Sequence, residues 1–391
     1  MTREEKQEKA RIDRILAKGP IDLPFALLVV LLTAIGVLMV FSASFARAYY
    51  ESSNPTTMAA LSVFLRQLLF AVVGIAAMFV VSKIDYHRWR RWAGPLLILA
   101  VFLLLLVIIP HNPLALTRGG ATRWLGVSSL SFQPSEVAKF AVILYFAATI
   151  SVKKDRMRDF KTGIWDYALI LGVIAVLMLQ EPHLSGTILI LCIGASMMFV
   201  GGISSRMVAL GLSVGIGGIL VLFSGVIPYG QSRILQWKDP WAYAADKGYQ
   251  TVQSLLAIGS GGLAGVGFGK GRQKLLYLPE EHNDMIFSTI CEELGFIGAA
   301  LILALFCFLV LRGYWIAVHA RDRFGGLLVV GITTMIAMQT FLNVAVVTNF
   351  VPNTGISLPF FSYGGTALLI QLFEMGVVLS VSRQIPGKSS P

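Results

Sequence analysis

The segment Tyr277-Leu-Pro-Glu280-Glu281-His282-Asn-Asp284, continued by Met285-Ile-Phe-Ser-Thr-Ile-Cys-Glu292-Glu293-Leu-Gly295, sets five carboxylates and a histidine where a long polar loop enters an apolar helix. A carboxylate at such a boundary keeps its charge only with a partner or with water, and deeper in lipid it becomes costlier still. Acids placed there at that cost point to chemistry for at least one of them, and what a carboxylate offers is a base. The rest of the chain must say which reaction needs one.

The elements that position these groups are membrane helices. With 56% hydrophobic and 14% charged residues and a mean hydropathy of +0.74, the chain reads as an integral membrane protein. Ten apolar runs can each span about 30 Å of hydrocarbon, or nearly so. They lie at Pro24–Phe45, Leu65–Ser82, Ala93–Ile109, Ser135–Val152, Trp165–Leu179, Ser185–Val200, Met207–Ile227, Met285–Leu311, Phe324–Val347 and Tyr363–Val381. The expected fold is an all-α bundle of ten transmembrane helices, since unpaired backbone cannot face lipid and no barrel-like alternation is visible. One membrane domain, 23–382, is framed by tails 1–22 and 383–391, with a large extracytoplasmic loop, 228–284, between spans 7 and 8.

The net charge of +11 would suit a nucleic-acid partner, but its distribution does not. Of the 32 lysines and arginines, 21 fall on one side of the ten-span threading, and the short loops of the other side carry only Arg47, Arg66, Arg118 and Arg123. That is the positive-inside bias, with both termini cytoplasmic. Cys192, Cys291 and Cys307 all sit within spans, so neither a disulfide nor a cysteine-based metal site is expected. No cleaved signal is expected either, because the first span follows a polar tail and is too long for one.

Several motifs carry polar groups to the membrane. Phe132-Gln-Pro-Ser135-Glu136-Val-Ala-Lys139 opens the fourth span with good helix-start residues. Glu136 and Lys139 share a helix face three residues apart, as a structural ion pair or as a polar seat at the floor of an outward cavity. In the long loop, Arg233 precedes the glycine-rich run Gly259-Ser-Gly-Gly-Leu-Ala-Gly265-Val-Gly-Phe-Gly269-Lys270-Gly-Arg272-Gln-Lys274. That run lacks the upstream glycine and the following Ser or Thr of a nucleotide loop. It reads instead as flexible backbone beside three cations, suited to an anionic, phosphate-bearing ligand. His183, in the turn Glu181-Pro-His183, is weak evidence for a metal ligand. Gln339, Asn343, Gln371 and Glu374 are polar groups inside apolar helices, for which interhelical hydrogen bonding is the ordinary role.

Together the motifs resemble the SEDS family (shape, elongation, division and sporulation), from the first span to Gly365. The pieces that carry the resemblance are Gly120-Ala-Thr-Arg123-Trp-Leu-Gly126, Phe132-Gln-Pro-Ser-Glu136-Val-Ala-Lys139, Tyr249-Gln…Gln253-Ser254…Gly259-Ser-Gly-Gly262, Arg272-Gln-Lys274…Leu278-Pro-Glu280…Asp284…Glu292-Glu-Leu-Gly295, and Pro352-Asn-Thr-Gly355…Leu358-Pro-Phe-Phe-Ser-Tyr-Gly-Gly365. Arg272-Gln-Lys274 with Leu-Tyr-Leu-Pro looks more like the FtsW and SpoVE branch than the RodA branch. Glu181-Pro-His183 departs from the Pro-Asp of many members, and Thr366 stands where Ser is usual.

The resemblance implies a peptidoglycan glycosyltransferase that polymerises lipid II at the outer face of the cytoplasmic membrane. It identifies Asp284 with the family's essential aspartate, and Glu136 and Lys139 with polar positions of the central cavity. Lipid-diphosphate transfer needs a base for the acceptor hydroxyl and charge neutralisation for the leaving diphosphate. Asp284 fits the base; Arg233, Lys270, Arg272, Lys274 and His282 are candidates for holding substrate. Glu292, Asn343 and Glu374 are expected to be structural. Whether a divalent cation, magnesium or manganese, takes part is left open. The implied partner is a class B penicillin-binding protein, among other membrane proteins of the division or elongation machinery. Two readings compete: a lipid II flippase using Glu136, Lys139 and Glu374 as a path, although matching broken helices are not apparent, and a scaffold that only docks a transpeptidase.

Overall fold

A computed structural model describes residues 19–50, 56–110, 112–118, 121–127, 130–181, 183–223, 234–246 and 248–386. Arg233 and the tail before Gly19 lie outside the described residues. The apolar runs form helices because only internally paired backbone is stable in lipid. In chain order these are α1 (Leu23–Tyr50), α2 (Thr57–Ser82), α3 (Ala93–Ile108), α4 (Pro134–Lys153), α5 (Asp166–Gln180), α6 (Leu184–Val200), α7 (Ser205–Phe223), α8 (Tyr249–Gly261), α9 (Ile286–Val318), α10 (Arg323–Val347) and α11 (Gly365–Ser382). Eight helices among the described residues are long and apolar enough to cross a membrane. The remaining two expected runs hold α6, a shorter apolar helix of 17 residues, and α7.

Burial sorts the helices. α4, α10 and α11 are mostly enclosed and make the centre of the bundle, whereas α2, α3, α5 and α9 turn most of their surface outward. The two ends of the described chain meet on one face: Arg312 clamps the Asp22 carboxylate with two bonds of 2.8 Å, and Arg383 donates to the Gly19 carbonyl. On the opposite face α4, α9 and α11 begin and α1 ends.

Two features depart from the expected all-α bundle with a surface loop. Between α3 and α4 the chain forms an antiparallel sheet of β1 (Ala115–Arg118), β2 (Ala121–Val127) and β3 (Leu130–Phe132), in the order β1-β2-β3. Ala115 lies opposite Leu125, Leu125 opposite Phe132, and the register shifts between Leu116 and Thr117. Strands this short, interrupted by a bulge, show too little alternation to be seen in sequence.

The second departure is in the loop 228–284, which is not all surface. α8 and the segment after it run alongside the first turns of α9. There α9 breaks at Gly295 (φ 66°, ψ −170°). The broken turn is repaired from outside: Phe296 and Ile297 donate to the Gly262 and Leu263 carbonyls, and Val266 and Gly267 donate to those of Glu292 and Glu293. Such backbone-to-backbone contact tolerates no side chain. A Cβ on Gly261 would sit 1.9 Å from the Cys291 carbonyl oxygen, and one on Gly265 would sit 2.2 Å from that of Glu293. The glycine-rich run is therefore a packing seam rather than a flexible phosphate cradle.

Candidate active site

On the face opposite the termini, the loop–helix boundary opens a cavity of about 930 Å³. Asp284, two residues before α9, lines it, and the Asp284 carboxylate makes no hydrogen bond among the described residues. Its backbone is held instead. Asn343 of α10 donates at 2.8 Å to the Asp284 carbonyl and at 2.6 Å to that of Ile356, tying α10, the start of α9 and the 351–364 segment together. Tyr363 donates to the His282 carbonyl and Ser362 to that of Asn283, so the same segment wraps the residues before Asp284. Gly355 closes the contact with a φ of +63°; a Cβ there would stand 3.0 Å from Asp284 Oδ2.

Burial, and then the neighbouring Glu280, push the Asp284 carboxyl up to about 6, while Arg123 and His282 work against them. A carboxyl near 6 takes a proton more readily than an ordinary aspartate and is still largely ionised at neutral pH.

The floor is a second polar group. Glu136 and Lys139 of α4 pair at 2.7 Å, both buried. Lys139 also donates to Gln339 Oε1 at 3.2 Å, and Gln339 donates to the Ser357 carbonyl and hydroxyl. Lys139 thus meets two acceptors, one of them an opposite charge, which offsets part of the cost of burying it. Glu374 lies deeper in α11, buried, with neither carboxyl oxygen hydrogen-bonded among the described residues; Lys139 and Glu136 are charges that act on it.

The cations are where the sequence reading needs correction. None of Lys270, Arg272 and Lys274 lines the cavity. Lys274 is buried against Glu293 Oε1 at 2.5 Å and the Ser42 hydroxyl of α1 at 2.7 Å. Glu293 accepts the backbone N–H of Gly269 as well, and Glu292 accepts those of Arg272 and Gln273. This acid pair of α9 is spent on closing the glycine seam, and Lys274 on balancing it. Lys270 and Arg272 extend outward, exposed.

The cavity's own cations are Arg47 of α1, Arg66 of α2 and Arg123 of β2, with Lys139. Arg47 pairs with the buried Glu281 at 2.8 Å. Arg123 donates through Nε to the Glu181 carbonyl at 3.2 Å and is the charge that acts on Asp284, His183 and Glu181 alike. His183 lines the cavity as a neutral imidazole, driven down to about 3 by burial, then by Arg123 and Lys139. Glu181 behind it is pushed up to about 8 by burial, against Arg123. His282 also lines the cavity, its ring 5.6 Å from that of Tyr363. Arg47, Arg66 and Arg123 are three of the four basic residues in the short loops on the sparsely charged side of the threading. Their signal was present in sequence as exceptions to the charge bias, and Arg66 also as a lone charge beside an apolar run.

The FtsW/RodA/SpoVE family model, described as "Cell cycle protein", matches residues 23–386. The chain belongs to this family. Among FtsW/RodA/SpoVE relatives, a probable peptidoglycan glycosyltransferase FtsW of Geobacter sp. (strain M18) is 39% identical over 94% of this chain and 98% of its own length. Stage V sporulation protein E of Bacillus subtilis (strain 168) is 41% identical over 93% of this chain and 97% of its own. Among solved structures, a chain of a peptidoglycan synthase complex that coordinates polymerization and crosslinking superposes with a TM-score of 0.77 at 25% identity. It covers 94% of this chain and 99% of that one. The rod-shape-determining protein RodA of Thermus thermophilus follows, with a TM-score of 0.66 at 26% identity over 94% and 98% of the two chains. The FtsW and SpoVE relatives stand nearer in sequence than this RodA, as the Arg272-Gln-Lys274 run led one to expect. The chain is a multi-pass membrane protein of this family.

Proposed function

We propose that this chain is a peptidoglycan glycosyltransferase that polymerises lipid II at the outer face of the cytoplasmic membrane, for division or a related wall-building process. The observation that carries this reading is one cavity holding the raised carboxyl of Asp284 opposite Arg47, Arg66, Arg123 and Lys139. The names of the FtsW relatives support the same activity.

In the reaction, the acceptor hydroxyl attacks the anomeric carbon of the donor sugar, the carbon–oxygen bond to the diphosphate breaks, and the hydroxyl proton passes to Asp284. The configuration inverts, as in single-displacement glycoside chemistry. The diphosphate, already doubly anionic, leaves with one further negative charge developing on the oxygen released from the sugar, and fixed cations in the site stabilise such charge without reorganising. Arg66 and Arg123 both line the cavity, and Arg123 is the foremost candidate because its charge already acts on Asp284, His183 and Glu181 there. Among the described residues no three His, Cys, Asp or Glu side chains converge on a metal site.

The orientation that goes with this chemistry puts the cavity outside and both termini in the cytoplasm. The partner that fits is a class B penicillin-binding transpeptidase with one membrane span, supported by the origin of the structural neighbour in a synthase complex.

The flippase reading remains the one to separate experimentally. α9 is broken at Gly295, and no second helix among the described residues carries a matching break, as paired transporter repeats would. Vesicles reconstituted with the purified chain and fluorescent lipid II decide the matter. Glycan product that disappears with Asp284→Asn is expected; lipid II crossing the bilayer with no glycan product would replace the enzyme by a transporter.

A further inference from the structure

We propose that a crevice on the face carrying the chain termini, between the start of α3 and the end of α4, binds the phosphate of an anionic phospholipid. In the orientation given above that lipid belongs to the cytoplasmic leaflet. The site lies at the other end of α4 from Glu136 and takes no part in the glycosyl transfer.

The crevice is a shallow, open groove of about 460 Å³ lined by both Arg90 and Lys153, with a small-residue floor that includes Ala93, Gly94 and Ala148. Both cations are held in place. Arg90 lies 5.8 Å from the ring of Phe324, and Lys153 lies over the ring of Tyr167 while bonding Asp166 at 2.7 Å. The exposed Asp166 carboxylate offsets part of the Lys153 charge. The flanking segments keep a positive excess, because the exposed Arg91, Lys154, Arg156 and Arg158 outnumber Asp155 and Asp159 nearby in the chain. Tyr145, also lining the crevice, offers a hydroxyl with no hydrogen bond among the described residues. A phosphate diester fits two fixed cations and a hydroxyl donor.

What selects a lipid over a soluble anion is the apolar part. The crevice opens among residues that face hydrocarbon: Val152 on its wall is 62% exposed, and Trp92 and Ile98 beside it are 53% and 73% exposed. A free phosphate gains nothing from such a floor, whereas a glycerol backbone and acyl chains cover it while the headgroup meets the cations. Gly94 keeps the room open, since a Cβ there would meet no atom within 4 Å.

Native mass spectrometry of the purified chain tests this by titration with phosphatidylglycerol, phosphatidylcholine or inorganic phosphate. Phosphatidylglycerol adducts are expected to outlast those of phosphatidylcholine, with phosphate leaving none. Each cation removed should weaken phosphatidylglycerol retention about fivefold, so the pair Arg90→Ala and Lys153→Ala weakens it about thirtyfold. Because Lys153 also ties Asp166, Gly94→Leu serves as the second variant. It keeps every charge, fills open space, and should lose phosphatidylglycerol selectivity with an unchanged thermal midpoint in detergent. Equal retention of both lipids, full retention in Gly94→Leu, or phosphate displacing phosphatidylglycerol would each overturn the proposal.

Discussion

Asp284 is placed by backbone and tuned by charge, and those two kinds of control make separate predictions. The rate of polymerisation should fall below about pH 6, where the carboxylate proposed as the base takes up its proton. Arg123→Gln removes a cation that favours the charged form, so the acid limb of the pH–rate profile should move up by about one unit. Glu280→Gln removes an anion that disfavours it, and the limb should move down; limbs that stay fixed in both variants would mean another group is titrating. Gly355→Ala forces a methyl to 3.0 Å from Asp284 Oδ2 at a backbone angle that only glycine adopts freely. Its turnover should drop between about tenfold and a hundredfold with helicity by circular dichroism intact, since a misplaced reacting group costs rate rather than fold. At this scale much of the site was legible in the residues. Asp284, Glu136, Lys139 and Asn343 sit in ordered motifs or as polar interruptions of apolar runs. Arg47, Arg66 and Arg123 were visible too, but as charges on the sparsely charged side, and nothing local said that three separate elements bring them to one cavity.

The helices were readable because hydropathy is a one-dimensional property, and a run of about 20 apolar residues has few alternatives in lipid. The seam formed by α8, the glycine-rich run and the first turns of α9 was not readable. Its logic is non-local: Gly295 breaks a helix, and Gly262 and Leu263, some thirty residues earlier, mend it. Lys270, Arg272 and Lys274 looked like phosphate binders for that reason, when Lys274 balances Glu293 inside the bundle. Lys274→Met should destabilise the protein by about 3–5 kcal/mol, because it strands a buried carboxylate, and adding Glu293→Gln should recover a good part of that. Thermal unfolding in detergent measures both; equal losses in the single and double variants would show that the pair carries no such weight. The strands β1–β3 escaped for the opposite reason, being too short and too irregular to leave a period-2 signal.

For the whole molecule, the Asp22–Arg312 and Gly19–Arg383 contacts bring the chain ends to one face and leave the cavity on the other. With most of the basic charge on the terminal side of the threading, the positive-inside rule predicts that this face meets the cytoplasm. A cysteine placed at Lys154 should be blocked by a membrane-impermeant maleimide only after cells are opened, and one at Asn353 in intact spheroplasts. The reverse pattern would turn the cavity inward and remove it from lipid II that has already crossed the membrane. Composition supplied the class, and the charge bias supplies the orientation that this labelling tests. The union of cavity, base and cations came only with the packing of α1, α2, α4, α9 and α11 around the 351–364 segment.

The claim everything else leans on is that this chain forms glycosidic bonds with Asp284 as its base. A gel of products from purified protein and lipid II, run with and without a class B penicillin-binding partner, tests it most directly. The account predicts a ladder of glycan strands from the wild-type chain and a rate lower by roughly 10²–10⁴-fold for Asp284→Asn under the same conditions. A full ladder from Asp284→Asn would contradict it.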